Sequence, residues 1–200
     1  MLLLLGTRNP GKVKEITTIL EDSRWSFSSL REFDHVGPAA EDGVTYAENA
    51  IAKARFYAAA TGLLALADDS GLEVAALGGA PGVHSARYAG DNASDADRRE
   101  LLLAELARVD GEDRRARFVA AVAIADPNGV VLNLSEGICE GTITFEPRGA
   151  SGFGYDPLFI PDGYDQTFAE LPDEVKNLIS HRARALMQTR DSLDHLHPPS

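Results

Sequence analysis

The chain has 200 residues, enough for one domain with a full hydrophobic core, and its 44% hydrophobic and 25% charged residues are ordinary for a globular protein. A formal net charge of −12 argues against a general nucleic-acid-binding protein, because it repels phosphate backbones. The apolar runs are too short to span a bilayer, no basic secretory n-region precedes Leu2, and the one cysteine, Cys139, suits a reducing compartment. We therefore expect a cytoplasmic protein without nucleic-acid or membrane partners.

The first predicted elements are a strand, a tight turn and a helix. Residues 2–5 predict a buried strand, Asn9 is a good N-cap, and Pro10 fits the first helical position. A helix N-terminus in this position suits an anion. The stretch GTRNPGKV at 6–13 also matches a Walker A phosphate loop, except that Val13 replaces the hydroxyl residue that ligates Mg²⁺. The pattern alone leaves a structural turn equally open.

A second helix carries a cation in its apolar interior. Thr45 and Glu48 form a capping-box pattern, and Gly62 is placed to end the helix. Lys53 lies in the middle of this segment. Such a lysine is most often a surface cation, yet the chain has few bases, so Lys53 is also a candidate for contact with an anionic ligand.

Two adjacent carboxylates follow the next apolar run. Residues 63–67 predict a short buried strand that ends in Asp68 and Asp69. Because neighbours in a strand face opposite sides, only one of the two can face a given site. With Glu41, that one would suit a hard cation held by one or two carboxylates plus substrate phosphates. Solvated surface acids are the alternative.

The remaining elements are predicted from turn and capping signals. Residues 72–90 are rich in Gly and Pro and predict a structured loop, and a helix is expected from about 94 to 109. Residues 117–137 predict a hairpin around Pro-Asn-Gly, 149–159 a second glycine-rich loop that enters a strand, and Ser180 the cap of the last helix.

This order of elements predicts one α/β domain with a mixed sheet. The domain is expected to span 1–194, with 195–200 as a flexible tail. The sequence contains no spacing typical of a Ser-His-Asp triad, a Cys-His pair or a zinc site. Any chemistry is therefore expected from carboxylates, lysines and glycine-rich loops.

Five motifs in this order resemble the inosine triphosphatase family of pyrophosphatases for noncanonical purine nucleoside triphosphates. They are TRNPGKVKE, EDGVTYAENAIAKA, ADDSGLEVAALGGAPGVHSARYAG, GFGYDP and SHRARAL, and they cover residues 4 to about 190. The resemblance implies an elongated two-lobed α/β domain with the active site in the cleft between the lobes, usually as a homodimer. It also implies Mg²⁺-dependent hydrolysis of ITP, dITP or XTP to the monophosphate and pyrophosphate, which cleanses the nucleotide pool.

The resemblance further implies a role for each matched residue. Asp69 would be the catalytic base and, with Glu41, a ligand of Mg²⁺. The implied substrate-binding positions are Thr7, Arg8, Asn9, Pro10, Gly11, Lys12 and Lys53 for the phosphates, Ser70 as a further contact, and Phe153, Gly154, Tyr155, Asp156, Lys176, His181 and Arg182 for the nucleobase.

This chain departs from the family pattern at two places. The family commonly has Gly where this chain has Arg8, so Arg8 is the least secure member of its loop. EDG replaces the more usual ETG, which places Asp42 beside Glu41. Whether Asp42, Glu48 or Glu73 supports the metal stays open at this point.

The implied nucleobase residues suggest how hypoxanthine and xanthine would be selected. Cationic donors from Lys176, His181 or Arg182 would pair with a 6-oxo acceptor and would be mispaired against the 6-amino donor of ATP. On this hypothesis, Arg182→Ala loses ITP activity far more than it changes stability. How GTP is excluded does not follow from the sequence.

Two other functions compete with the pyrophosphatase. A P-loop-like ATPase or kinase is suggested by residues 6–12 together with the acidic strand end, and it would yield orthophosphate or a phosphorylated acceptor. A non-catalytic purine nucleotide sensor would bind the same ligand without turnover. The combination of Glu41 and Asp69 with the lysines favours an enzyme, because a pure binder does not need two carboxylates for a metal.

Overall fold

The structure is a computed structural model that describes residues 1–21, 24–109 and 113–196. Its elements are β1 (Leu2–Leu5), α1 (Pro10–Ile19), β2 (Ser26–Ser29), α2 (Tyr46–Thr61), β3 (Leu64–Val74), α3 (Asp95–Leu106), β4 (Arg115–Ala125), β5 (Val131–Ile143), β6 (Phe159–Pro161), α4 (Asp173–Ile179) and α5 (His181–His195). Of the expected tail at 195–200, residue 195 is the last of α5, and 197–200 lie outside the described residues.

The strands form one mixed sheet in the order β2-β1-β3-β4-β5-β6. β1 runs parallel to β2 and to β3, with Leu4 opposite Ala65 in the second pair. β6 is antiparallel to β5, with Phe159 opposite Ile143. The predicted α/β class with a mixed sheet is therefore confirmed.

Each of the two compact units of the chain has its own hydrophobic core. The first unit comprises residues 1–69, 120–137 and 181–200, and the second comprises 70–119 and 138–180. Leu66 and Val122 are fully buried in the first core. In the second core, the rings of Phe118 and Phe159 meet edge to face with centroids 4.7 Å apart, a favoured geometry for aromatic pairs.

The helix signals in the sequence are confirmed. Asn9 caps α1 and Pro10 is its first residue. Thr45 and Glu48 form the capping box of α2, and Gly62 ends that helix with a φ of +71°, a conformation that glycine adopts without steric cost. These starts and stops depend on local hydrogen bonds, which explains why sequence alone locates them.

The prediction of a short strand ending at the two carboxylates was wrong. β3 continues through Asp68 and Asp69 to Val74, because Leu72 and Val74 are fully buried in the second core. The carboxylates therefore lie inside a strand that is long enough to belong to both units. The sequence reading also missed α4, which begins directly after Pro172. Among the described residues, no helix is long and apolar enough to cross a membrane.

Candidate active site

The loop between β1 and α1 is held by its own side chains. The Asn9 Oδ1 atom accepts hydrogen bonds from the Gly11 and Lys12 N–H groups at 2.8 and 3.3 Å, and Thr7 Oγ1 accepts from the Asn9 N–H at 3.2 Å. The first amides of α1 are thus capped internally, so an anion here would be bound chiefly by side chains and the helix dipole. Val13 packs against the first core, which accounts for an apolar residue at that position.

The Arg8 side chain forms hydrogen bonds to backbone carbonyls of the protein. Its Nη2 atom donates to the Val36 carbonyl at 2.5 Å and lies 3.5 Å from the Phe33 carbonyl. The guanidinium thereby fastens the segment around Val36 to the loop. A contact between Arg8 and a phosphate stays a prediction.

Asp68 is the centre of a buried chain of charges. Its Oδ2 atom lies 3.0 Å from Lys12 Nζ and accepts from Arg182 Nε at 3.0 Å. Arg182 also pairs with Glu15 through Nη1. Asp68 and Arg182 are only 3% and 2% exposed. This arrangement, which we call the Asp68 chain (Lys12, Asp68, Arg182 and Glu15), fixes the position of the Lys12 ammonium at the start of α1.

In the Asp68 chain, burial and the neighbouring charges shift the pKa values in opposite directions. Burial alone would raise the pKa of Asp68, but the positive charges of Lys12 and Arg182 outweigh it and hold that pKa well below its usual range. Burial likewise acts to lower the pKa of Arg182, while Asp68 and Glu15 raise it above the ordinary value. Asp68 and Arg182 therefore stay ionised at neutral pH.

The Asp68 chain makes Arg182 important for stability, which the expectation for Arg182→Ala did not include. The guanidinium of Arg182 is committed to Asp68 and Glu15. Replacing it with alanine would leave two buried carboxylates without that partner, and such losses are strongly destabilising. The structure therefore gives no support to an Arg182→Ala variant whose stability is nearly unchanged.

Asp69, the next residue of β3, has hydrogen-bond partners of its own. Lys53 Nζ donates to Asp69 Oδ1 at 2.7 Å and lies 2.9 Å from Glu41 Oε1. Asn49 Nδ2 donates to Asp69 Oδ2 at 3.1 Å. Asn49 and Lys53 are four residues apart on α2, which puts both on one face of the helix. The different partners of Asp68 and Asp69 agree with the alternation of side chains expected in a strand.

The environment of Asp69 makes its carboxylate more basic than usual. Burial raises the pKa of Asp69 by more than the Lys53 ammonium lowers it. For Lys53, burial acts to lower the pKa, but Asp69 and Glu41 outweigh it and raise the value. A carboxylate with a raised pKa beside a cation is a suitable acceptor for a proton.

Gly43 lets the segment that carries Glu41 approach α2 closely. The Gly43 N–H donates to Asn49 Oδ1 at 2.8 Å. A Cβ atom at Gly43 would lie 2.7 Å from Asn49 Oδ1 and 2.8 Å from Glu48 Cβ, which is closer than packed atoms allow. The absence of a side chain at this position thus preserves the contact between Asn49 and Asp69.

We expect Gly43→Ala to destabilise the protein by about 1–3 kcal/mol, as overpacking does, and to lower kcat because Asn49 must move away from Asp69. Thermal unfolding and steady-state turnover measure the two effects. Gly37→Ala is the matched control, since no atom of the described residues lies within 4 Å of a Cβ built at Gly37. Equal melting temperatures for the two variants would contradict the packing argument.

The donor set around Asp69 suits a hard cation. Two carboxylate oxygens, from Glu41 and Asp69, already contact one ammonium group, so this location accepts positive charge between them. Within residues 1–21, 24–109 and 113–196, no group of three or more His, Cys, Asp and Glu side chains could hold a metal ion. Divalent cations such as Mg²⁺ are often bound by one or two carboxylates plus substrate phosphates, and Glu41 and Asp69 supply two carboxylates.

The carboxylates left open by the sequence have different environments. Glu48 accepts from the Val44 and Thr45 N–H groups at 2.8 and 3.3 Å and thereby caps α2. Glu73 belongs to the second unit, where it pairs with Arg117 at 2.7 Å. Asp42 is exposed beside Glu41. Glu48 and Glu73 therefore have structural partners of their own.

The second unit brings the GFGYD residues and Lys176 together. Lys176 Nζ lies 2.5 Å from Asp156 Oδ2 and 5.0 Å from the centroid of the Phe153 ring. The same Asp156 oxygen accepts from the Phe153 N–H at 2.9 Å. A Cβ atom at Gly152 would lie 2.1 Å from that oxygen, so glycine is needed there. Lys176 is 4% exposed, which makes a surface role for it untenable.

Tyr155, Ser70, His181 and Arg182, the other residues implied for substrate binding, are divided between the two units. Tyr155 is buried in the second unit, where its hydroxyl donates to the Ser85 carbonyl at 3.0 Å. Ser70, on β3, belongs to the same unit and is half-buried. His181 and Arg182 belong to the first unit, where both are buried at the start of α5. The predicted site residues thus divide between the units, with the Asp68 chain and the partners of Asp69 in the first and the contacts of Asp156 and Lys176 in the second.

Sequence reasoning missed several residues that complete these groups. Glu15 and Asn49 were not selected, although Lys12 and Glu15 are three residues apart on α1 and Asn49 precedes Lys53 by four. Such spacings place side chains on one helix face and could have indicated both residues. Asp68 was noted but not assigned a role, because its partner Arg182 is 114 residues away.

The model of the Ham1 family matches residues 3–192 of the chain. This chain belongs to the Ham1 family. The dITP/XTP pyrophosphatase of Desulforamulus reducens is 50% identical over 197 residues, covering 98% of each protein. The structure of a HAM1 protein from Coxiella burnetii is 44% identical, with a TM-score of 0.88 over 98% of this chain and 100% of that one. A nucleoside-triphosphatase / dITP/XTP pyrophosphatase from Mycobacterium abscessus has a TM-score of 0.74 at 43% identity, covering 94% and 98%. The family resemblance and the fold are thus confirmed.

Proposed function

We propose that this Ham1 protein hydrolyses the noncanonical purine nucleoside triphosphates ITP, dITP and XTP to the monophosphate and pyrophosphate. The observation that carries the proposal is the buried Asp69, held by Asn49 and Lys53 with Glu41 on the same ammonium. The names of the relatives from Desulforamulus reducens and Mycobacterium abscessus support the substrate class.

The phosphates would be bound at the loop before α1. Lys12 supplies positive charge there, and the Asp68 chain holds its ammonium in place. Thr7 and Asn9 add neutral polar groups, and the positive end of the α1 dipole adds to the attraction. Phosphoryl-type transfer needs mainly such positioning and charge neutralisation, because it requires little covalent help from the protein.

The reaction is the attack of a water molecule on the α-phosphorus. A new bond forms between the water oxygen and this phosphorus, and the bond to the α–β bridging oxygen breaks, so pyrophosphate leaves with the electron pair. Asp69 takes the proton of the water, for which its raised pKa is favourable. Lys12 stabilises the charge on the leaving group, and Asn49 keeps the Asp69 carboxylate oriented.

Glu41 and Asp69 would hold Mg²⁺, which when bound supplies neutralisation of phosphate charge and a lower pKa for water. Lys53 offsets the repulsion between these two carboxylates in the structure. In the second unit, Phe153 offers a ring face and Lys176 a buried ammonium for the base. The protein would act as a homodimer in the cytoplasm, and light scattering after gel filtration tests the dimer.

Product analysis with ITP, dITP, XTP, GTP and ATP tests the proposal, first with Mg²⁺ and then with EDTA. We expect pyrophosphate and the monophosphate from ITP, dITP and XTP, slow turnover of ATP and GTP, and loss of activity with EDTA. Orthophosphate as the product would support a P-loop-like ATPase instead. Tight ITP binding without turnover would indicate a purine nucleotide sensor.

A further inference from the structure

Two side chains near the start of α3 bind the backbone N–H and C=O of one glycine in the GFGYD segment. Asp95 Oδ2 accepts from the Gly154 N–H at 2.7 Å, and Arg99 Nη1 donates to the Gly154 carbonyl at 2.7 Å. Asp95 and Arg99 are four residues apart and therefore project from the same face of the helix. We call this pair the α3 clamp.

The α3 clamp fixes the orientation of the peptide groups on either side of Gly154. Gly154 has a φ of +61°, a backbone conformation that residues with a Cβ atom rarely adopt. The chain therefore turns sharply between Phe153 and Tyr155. One clamp residue binds the N–H and the other binds the C=O, so rotation of either peptide plane breaks a charge-assisted hydrogen bond. The two hydrogen bonds thus stabilise the turn although Gly154 has no side chain to pack.

The clamped turn continues directly into the residues assigned to the nucleobase. Asp156 accepts from the Phe153 N–H at 2.9 Å and holds Lys176 Nζ at 2.5 Å. The Lys176 ammonium in turn lies 5.0 Å from the centroid of the Phe153 ring, within the range of a cation–π contact. A shift of Gly154 would therefore move the aromatic face and the ammonium relative to each other.

Asp95 is ionised under ordinary conditions. Burial acts to raise its pKa, but the hydrogen bonds from Arg98 and from the Gly154 N–H outweigh burial and lower the pKa below the usual value. Arg98 also donates to the Ala86 and Ala93 carbonyls at 2.7 and 2.8 Å. Its Nη2 atom donates to Asp95 Oδ1, whereas the Gly154 N–H donates to Oδ2, so the two donors share the carboxylate and the Gly154 carbonyl is bound by Arg99.

We propose that Asp95 and Arg99 are positioning residues for purine selectivity, which act by holding the Gly154 turn and, through it, Phe153 and Lys176. The inference rests on the proposed function, because it concerns discrimination between a 6-oxo and a 6-amino purine at these residues. Neither clamp residue belongs to the sequence motifs that carry the family resemblance. Their role follows from the hydrogen bonds to Gly154 alone.

The experiment measures kcat and KM for ITP and ATP in the wild type and in Asp95→Ala, Asp95→Asn and Arg99→Ala, with thermal unfolding alongside. We expect Asp95→Ala and Arg99→Ala to lower the ITP-over-ATP ratio of kcat/KM by about tenfold or more, since a mispositioned polar group discriminates poorly. The loss should lie mainly in KM for ITP. Asp95→Asn keeps a carbonyl acceptor for the Gly154 N–H and should retain most of the ratio.

Asp97→Ala is the matched control for a merely structural effect. Asp97 lies in the same turn of α3 and accepts from the Ser94 N–H at 2.8 Å as part of the capping box. Its removal weakens the start of α3, yet the selectivity ratio should stay within about twofold of the wild type. An equal loss of selectivity in Asp97→Ala would overturn the inference, because general loosening of α3 would then be the cause.

The remaining outcomes separate the inference from the proposed function. If the wild type prefers ITP and Asp95→Ala and Arg99→Ala keep that preference, the inference is wrong while the proposed function stands. If the wild type releases pyrophosphate from none of the purine triphosphates, or from ATP as readily as from ITP, the proposed function is wrong and the inference falls with it.

Discussion

Asp69→Asn should lower kcat for ITP by about 10²–10⁴-fold, the range for loss of a positioned general base. An amide cannot accept the proton of the attacking water, and it is a poorer ligand for Mg²⁺ than a carboxylate. The hydrogen bond from Asn49 and the contact between Lys53 and Glu41 can remain, so the fold should persist. Steady-state kinetics at saturating ITP, with thermal unfolding alongside, measure both effects.

The control for Asp69 is another acid on the same strand. Glu73→Gln removes a carboxylate of β3 that pairs with Arg117 in the second unit, and it should leave kcat within about twofold of the wild type.

The pH profile of the wild type gives a further check on Asp69. Since burial raises the pKa of Asp69 in the metal-free protein, wild-type kcat/KM at limiting Mg²⁺ should fall on acidification at a pH above the ordinary Asp value of about 3.9. Full activity of Asp69→Asn would contradict its role as the base.

The second large effect concerns stability. Asp68→Ala should reduce the free energy of unfolding by about 3–5 kcal/mol, as expected when one partner of a buried ion pair is removed. It leaves Lys12 and the buried Arg182 without the carboxylate between them. Activity should also fall, because Lys12 loses its anchor. Urea-induced unfolding measures the stability loss.

A double-mutant cycle shows whether the loss arises from the Asp68 chain. Asp68→Ala combined with Arg182→Ala should cost less than the two single losses together, with a coupling of about 0.5–3 kcal/mol. The depressed pKa of Asp68 sets the pH dependence. Its stabilisation is present above the unfolded pKa of about 3.9 and is lost as pH falls through the lower folded value. Purely additive losses would mean that Asp68 and Arg182 act independently.

The local features of this protein could be predicted from sequence. Asn9 before Pro10 and the Thr45–Glu48 capping box located two helix starts, because a cap depends on residues within one turn of each other. The alternation of residues along a strand likewise implied that Asp68 and Asp69 point to opposite sides. The motif order also indicated the family, since the motifs span nearly the whole chain.

The partners of the site residues could not be predicted in the same way. Asp68 meets Arg182 across 114 positions, and Gly154 meets Asp95 across 59. Nothing in the neighbouring residues of either partner signals such a contact. The length of β3 was missed for a related reason, because Leu72 belongs to a strand only once the second core has formed around it.

By itself, then, the sequence determined the family, the α/β class, the helix caps and the residue types from which a site could be built. The tertiary structure alone decided which charge faces which. In the folded protein, Arg182 pairs with Asp68 and Glu15, and Lys176 pairs with Asp156. Asp69 accepts hydrogen bonds from Lys53 and Asn49. The physical reason is that burial makes an ion pair or a raised pKa depend on distances of a few ångströms between residues that are remote along the chain.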